Sequence, residues 1–194
     1  GLEDIAMFRT LPGSVVLYPS DATSTSACVR IANEHTGITY IRTSRPKTPV
    51  IYSSDENFKI GGSKLVESSP DDKLTIIAAG ITLHNAITAS QQLKKDGINI
   101  RIIDAYSVKP LDSDGINRAI AKTNKLAIII EDHYEAGGLG EAVRSIIAPD
   151  VKIKHLCIRE IPRSGSPDEL MEKYGIGPNA IVNAVRGYIG NKKL

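Results

Sequence analysis

Along this chain the spacing of apolar and polar positions switches repeatedly between the periods of strand and helix. Residues 15–19, "VVLYP", are a continuous apolar run closed by proline, which predicts a short buried strand. In "SDATSTSACVRIANEH", Ser20 or Asp21 is placed to cap a helix whose inner face carries Ala27, Ile31 and Ala32, and Gly37 stops it. Residues 38–43, "ITYIRT", are again β-branched and aromatic. Strand, helix and strand in that order predict a right-handed crossover between parallel strands. The chain opens on "GLEDIAMF", where Leu2, Ile5 and Ala6 recur at helical spacing with Glu3 and Asp4 opposite. It therefore starts as if inside an amphipathic helix, without an initiator methionine. That reads as a processed or truncated chain, with a cloning boundary after a leading glycine as the alternative.

After Pro46 the texture changes. "PKTPVIYSSDENFKIGGSKLVESSPDDK" is rich in Pro, Ser, Gly and Asp, with short strand candidates around 49–52 and 58–67. It reads as a connection between domains with an edge strand or hairpin inside it. From residue 74 the pattern is regular: strand "LTIIAAG", helix 81–95 ended by Gly97, strand 98–104 and helix 113–123. Strand 126–132, nearly all apolar, is expected to be central. Helix 138–147 follows, then an alternating strand 151–158 with one face nearer solvent, and helices 167–173 and 178–189 that begin at Pro167 and Pro178. The expected fold class is α/β, a mostly parallel sheet flanked by helices and preceded by a partial β–α–β unit. The expected division is a partial unit over 1–50, a linker with an edge strand over 51–70, and the α/β domain over 71–194.

Composition narrows the function classes. A net charge of +2 is too small to argue for nucleic acid or an acidic membrane surface, and Lys192 and Lys193 read as a solvated tail. The chain has no apolar run long enough to span a bilayer. Cys28 and Cys157 are far apart, with no CxxC or Cys/His spacing that suggests zinc. A reduced, cytoplasmic compartment is the expectation.

"EDHYEAGGLGEAV", residues 131–143, concentrates acids, a histidine and glycines where a strand ends and a helix begins. Ligands of open α/β sheets bind at such strand ends, and exposed amides at a helix start can bind anions. Against that, Glu131, Asp132 and His133 on an extended strand point alternately to opposite faces and cannot converge on one metal. "GGLG" matches neither G-x-G-x-x-G nor a P-loop, and its glycines also serve a tight turn. The residues favour a structural turn over an active site. His84, early in a helix, reads as a cap or a partner contact. His35 and His155 show no acid or cysteine at useful spacing, and Ser164 in "RSGSP" reads as a turn residue. In "YIRTSRPKTP", Arg42 lies within the strand as a candidate ion-pair partner, and Arg45 lies just beyond it, before a proline. A guanidinium held there can grip a phosphate or carboxylate with two hydrogen bonds.

"LEDIAMFR", "YPSD", "IRTSRP", "AAGITLHNA", "VKPLD", "EDHYEAGGLGEAV", "IPRSGSP" and "AVRGYI" occur in this order. Together they resemble the carboxy-terminal part of transketolases of the animal type, over essentially the whole chain. "TSRP" separates it from deoxyxylulose-phosphate synthases and from the β chains of oxo-acid dehydrogenases. The resemblance implies an enzyme that moves a two-carbon ketol unit from a ketose phosphate to an aldose phosphate, with thiamine diphosphate and a divalent cation (Mg or Ca). It implies a cytoplasmic homodimer with the cofactor at the subunit interface. It assigns residues 1–50 to the end of the pyrimidine-binding domain and 71–194 to the carboxy-terminal domain. Arg45 matches the arginine that contacts the sugar phosphate. No catalytic, cofactor-binding or metal-binding residue carries over, since the family's equivalents lie upstream of Gly1. "EDHYEAGGLGEAV" becomes a strand-to-helix connection without a part in the chemistry. The chain by itself is expected to be inactive and to bind no cofactor, with its first fifty residues less stable because their sheet is incomplete. The alternative is a non-catalytic dimerisation or partner-binding subunit of a split thiamine-diphosphate enzyme.

Overall fold

The structure, a computed structural model, describes residues 1–190; Lys192 and Lys193 lie outside them. The apolar runs of the second part become a five-stranded sheet. Its strands are β3 (Lys64–Glu67), β4 (Thr75–Ala78), β5 (Arg101–Asp104), β7 (Leu126–Tyr134) and β8 (Lys152–Ile158), in the order β3-β5-β4-β7-β8. All neighbours are parallel except β3, which runs antiparallel along the β5 edge. β7 is interior, as its composition predicts, but the middle place belongs to β4, buried at every position.

Both faces of this sheet are covered, which is why its inner strands are apolar throughout and not alternating. On one face, Ile76, Ile102 and Ile128 meet Leu83 and Leu93 of α3 (Ile81–Lys95) and Ile181 and Val185 of α7 (Pro178–Gly190). On the other, Ile77, Ile103 and Ile129 meet Ile116 and Ile120 of α4 (Ser113–Ala121) and Leu139 and Val143 of α5 (Leu139–Arg144). Each such buried side chain contributes about 1.5–3 kcal/mol relative to exposure. A last short helix, α6 (Pro167–Lys173), begins at its proline as expected. Among the described residues no helix is long and apolar enough to cross a membrane.

The first fifty residues form the predicted β–α–β: β1 (Val15–Leu17), α2 (Ala22–Glu34) and β2 (Thr39–Ile41), with β1 and β2 parallel. Asp21 is the cap, its carboxylate accepting from the Ser24 amide at 2.7 Å. The opening helix, α1 (Asp4–Arg9), buries Ile5. The small sheet is not left with β1 as an open edge, because β6 (Ser107–Lys109) pairs with it antiparallel. β6 is not legible in the sequence: three residues in front of a proline carry no usable periodicity. Through β6, Val16 and Tyr18 join the core that Ile77 and Ile103 build under the larger sheet.

The strand candidate at 49–52 does not form. The amides of Ile51 and Tyr52 instead donate to the second oxygen of the Asp21 carboxylate, at 2.7 and 3.0 Å. A side-chain acceptor thus takes the place of a neighbouring strand. Tyr52 then packs edge-on against Phe58, which packs against Tyr106.

Where the two sheets meet, Asp104 is fully buried. Its Oδ2 accepts from the hydroxyls of Ser20 at 3.0 Å and Tyr52 at 2.6 Å, and its Oδ1 has no partner among the described residues. Burial pushes its pKa up to about 7, against the lowering effect of the two hydroxyls. In the unfolded chain the group ionises near 3.8. Between those values the native state binds the extra proton, so this group's contribution to stability is present at low pH and is lost as pH rises toward 7. Asp104→Asn, which cannot ionise, should gain in urea-unfolding free energy relative to wild type between about pH 4 and about pH 7. A pH-independent difference would contradict this account.

Candidate functional site

The carboxyl ends of β4, β7 and β8 face the loop that follows β2, and the last residues of β7 govern what happens there. Alternation along the strand separates its side chains. Glu131 turns toward α5, where its carboxylate accepts from the amides of Leu139 at 2.6 Å and Gly140 at 2.9 Å, and from His155 Nε2 at 2.6 Å. The glycine-rich helix start is thus filled by a carboxylate of the protein itself, and the anion site considered from the sequence is already satisfied. The glycines allow this close approach. A Cβ on Gly138 would fall 2.0 Å from Glu131 Oε2, and one on Gly140 would fall 2.1 Å from the His155 ring.

His155 therefore has the acid partner that the sequence reading did not find, and it has Cys157 beside it as well. The reading considered spacing along the chain, whereas Glu131 reaches His155 across adjacent strands. Burial opposes a charge on His155. Hydrogen bonds to Cys157 and Glu131, with the charge of Glu131, outweigh it and raise the pKa to about 9. His133 is buried and structural: its Nδ1 donates to the Tyr134 carbonyl and its Nε2 accepts from the Ala6 amide of α1. His84 links α3 to the Ser20 carbonyl at 2.6 Å, a contact inside the chain.

Asp132 points the other way, to Arg42. The Arg42 guanidinium sits between Asp4, 3.2 Å from Nε, and Asp132, 3.4 Å from Nη2, and it also donates to the Asp132 carbonyl at 3.0 Å. Its carbon lies 4.8 Å from the centre of the Tyr18 ring, whose hydroxyl donates to Asp132 at 3.0 Å. This is the ion-pair role expected for Arg42. Gly80 makes room for the assembly: its φ is +56°, and a Cβ there would lie 2.0 Å from Tyr18 ring carbons.

Above this group opens a cavity of about 710 Å³. Its walls are the 42–47 loop, the start of α3, the end of β8 and the 162–176 segment around α6. Tyr18, Arg42 and Asp132 line it beside apolar side chains such as Ile81, Leu170 and Met171. Arg45, Lys47 and Arg163 also line it, all three exposed. Arg45 enters no ion pair with any of the described residues, in contrast to Arg42 three positions earlier. Lys47 and Arg163 were not singled out from the sequence, because Arg163 reaches the cavity from the far end of the chain. A cavity with an apolar wall and exposed cations suits a small organic anion.

A family model described as the transketolase C-terminal domain matches residues 63–181, and one described as the transketolase pyrimidine binding domain matches residues 1–50. The chain belongs to the transketolase family. It is similar to human transketolase, 46% identical over 190 residues, which cover 97% of this chain and 30% of that protein. It is also similar to mouse transketolase-like protein 2, 47% identical over 95% of this chain and 30% of that protein. The chain thus spans about 30% of the length of these curated relatives. Among solved structures it is similar to a chain described as "Split gene transketolase, inactive beta4 tetramer", with a TM-score of 0.88 and 31% identity, over 98% of this chain and 62% of that one. A transketolase from Campylobacter jejuni shares the fold, with a TM-score of 0.77 at 18% identity over 96% of this chain and 28% of that one.

The two arginines of this transketolase-family loop should separate cleanly in stability measurements. Arg42→Ala strands two partly buried carboxylates and should cost about 3–5 kcal/mol. Arg45→Ala should stay within about 0.5 kcal/mol of wild type. Urea unfolding of both variants checks this, and equal losses would mean that the loop is organised differently.

Proposed function

We propose that this chain supplies the sugar-phosphate end of a transketolase site, with Arg45 as the phosphate contact. The observation that carries the reading is the pairing of Arg45's exposure, free of any ion pair among the described residues, with its place on the cavity wall. Arg42 cannot serve, since its donors are committed to Asp4 and Asp132. The proposed reaction of the whole protein is transfer of a two-carbon ketol unit from a ketose phosphate to an aldose phosphate. Thiamine diphosphate supplies the electron sink for that chemistry when bound. Arg45 holds the remote phosphate, so that binding energy far from the reacting carbons positions them.

The described residues do not fit the cofactor or an oxygen-liganded Mg or Ca ion. The glycine-rich helix start already carries Glu131, and the one potential ligand cluster among them offers sulfur and nitrogen as well as oxygen. The proposed cofactor site therefore belongs to the length of the relatives that this chain does not span. Residues 1–50 are proposed as the end of the pyrimidine-binding domain, 51–70 as the linker and 71–194 as the carboxy-terminal domain, in a cytoplasmic homodimer.

A second reading is a subunit of a split enzyme whose cofactor half is another polypeptide. The likeness to the split-gene chain favours it. Ketol transfer that appears only when this chain is mixed with a separately produced amino-terminal transketolase polypeptide would establish it.

In the complete enzyme, Arg45→Ala should raise KM for sugar phosphates. A charge-assisted hydrogen bond of about 1.5–3 kcal/mol corresponds to roughly 10- to 150-fold. The variant should act on unphosphorylated sugars as wild type does. An unchanged KM for the phosphates removes the assignment.

A further inference from the structure

We propose that Glu135, His155 and Cys157 form a binding site for a zinc-like divalent cation, separate from the sugar-phosphate cavity and from the cofactor. One ligand atom from each lies within 4.8 Å of those of the other two. The backbone explains the convergence. His155 and Cys157 are two apart on β8, so both side chains leave the same face of that strand. Glu135 follows directly after β7, the strand that pairs with β8, and so reaches the same point from the side.

The surroundings resemble those of metal-ligating histidines. Such a histidine usually donates its far nitrogen to a carboxylate, which fixes the ring and strengthens the near nitrogen as a ligand. Here Nε2 of His155 bonds Glu131 at 2.6 Å, and Glu131 is itself pinned by the amides of Leu139 and Gly140. That commits Nε2 and leaves Nδ1 for the cation. Cys157 and His155 are buried, whereas Glu135 is exposed. The cluster therefore has a buried inner pair and an exposed outer carboxylate. Among the described residues the Glu135 carboxylate pairs with Arg159, at 3.1 Å, with both side chains more than half exposed. An ion pair of that kind contributes at most about 1 kcal/mol and yields to a metal bond.

Donor chemistry selects the ion. Thiolate, imidazole and a single carboxylate suit zinc and its neighbours, whereas magnesium and calcium require oxygen ligands throughout. Binding displaces the Cys157 thiol proton and any proton on Nδ1, so uptake strengthens as pH rises. The cation would tie the turn after β7 to β8, whose last residue, Ile158, lines the cavity.

The test is titration of the full chain with cobalt(II), reading the thiolate-to-cobalt charge-transfer absorption, followed by competition with zinc and with magnesium. One equivalent should bind, zinc should displace it, and excess magnesium should not. Cys157→Ala should abolish the absorption and weaken zinc binding at least roughly tenfold. Glu135→Gln should keep the absorption but weaken zinc binding. Cys28→Ala, which alters the other buried thiol, should leave both unchanged. Zinc should also raise the thermal midpoint of wild type and not that of Cys157→Ala. The proposal fails if wild type shows no thiolate absorption, if Cys157→Ala retains it, if Glu135→Gln binds zinc as wild type does, or if magnesium displaces the cobalt.

Discussion

The arrangement of this molecule depends on one partly buried cation. Arg42 lies at the end of the small sheet, Asp4 on the first helix and Asp132 on the larger sheet, and the guanidinium bridges the two carboxylates across the join. Each of the three charges is partly removed from water, so each is tolerable only with the others present. The loop that follows Arg42 is thereby held over the strand ends, and Arg45, three residues on, lies exposed on the cavity wall. Tyr18 braces the same group, with its ring against the guanidinium and its hydroxyl on Asp132. The ion-paired arginine fixes the geometry, while Arg45 enters no ion pair with any of the described residues.

A second constraint is the pleat of β7. Asp132 on one face serves the domain junction, while Glu131 and His133 on the other serve the glycine turn and the first helix. Arg9 of that helix donates to the Gly138 carbonyl at 2.8 Å, and a Cβ on Gly137 would lie 2.4 Å from the Ala6 Cβ. The turn is thus crowded on both sides, with its amides answered by Glu131 and its outer surface by α1. A segment that resembles an active site by its residue types is in fact a structural joint, and its buried carboxylate stands where a ligand anion would otherwise bind. The same joint orients His155, which is what makes the end of β8 a candidate for a cation.

The fold was legible wherever periodicity is long enough to register. Apart from β6, the order of strands and helices from residue 74, a cap at Ser20 or Asp21, the helix start at Pro167, and the parallel β1–β2 pair follow from local pattern alone. What escaped was short or paired at a distance. β6 is three residues long and exists because β1 offers it a free edge. The segment at 49–52 has strand-like residues, but its amides found the Asp21 carboxylate first. In the candidate site, Arg42 and Arg45 were visible from their positions at and beyond a strand end, whereas Arg163 joins the cavity wall only through folding.

The sequence by itself determined the α/β class and the family, because both rest on short local patterns that can be read one after another along the chain. The tertiary structure decided which groups come together: Glu131 pairs with His155, Arg42 pairs with Asp132, and Arg163 shares a cavity wall with the loop of Arg45. Each of those meetings joins residues far apart in the chain. Local pattern carries no record of them, since the partner is selected by strand order and by what burial leaves unpaired.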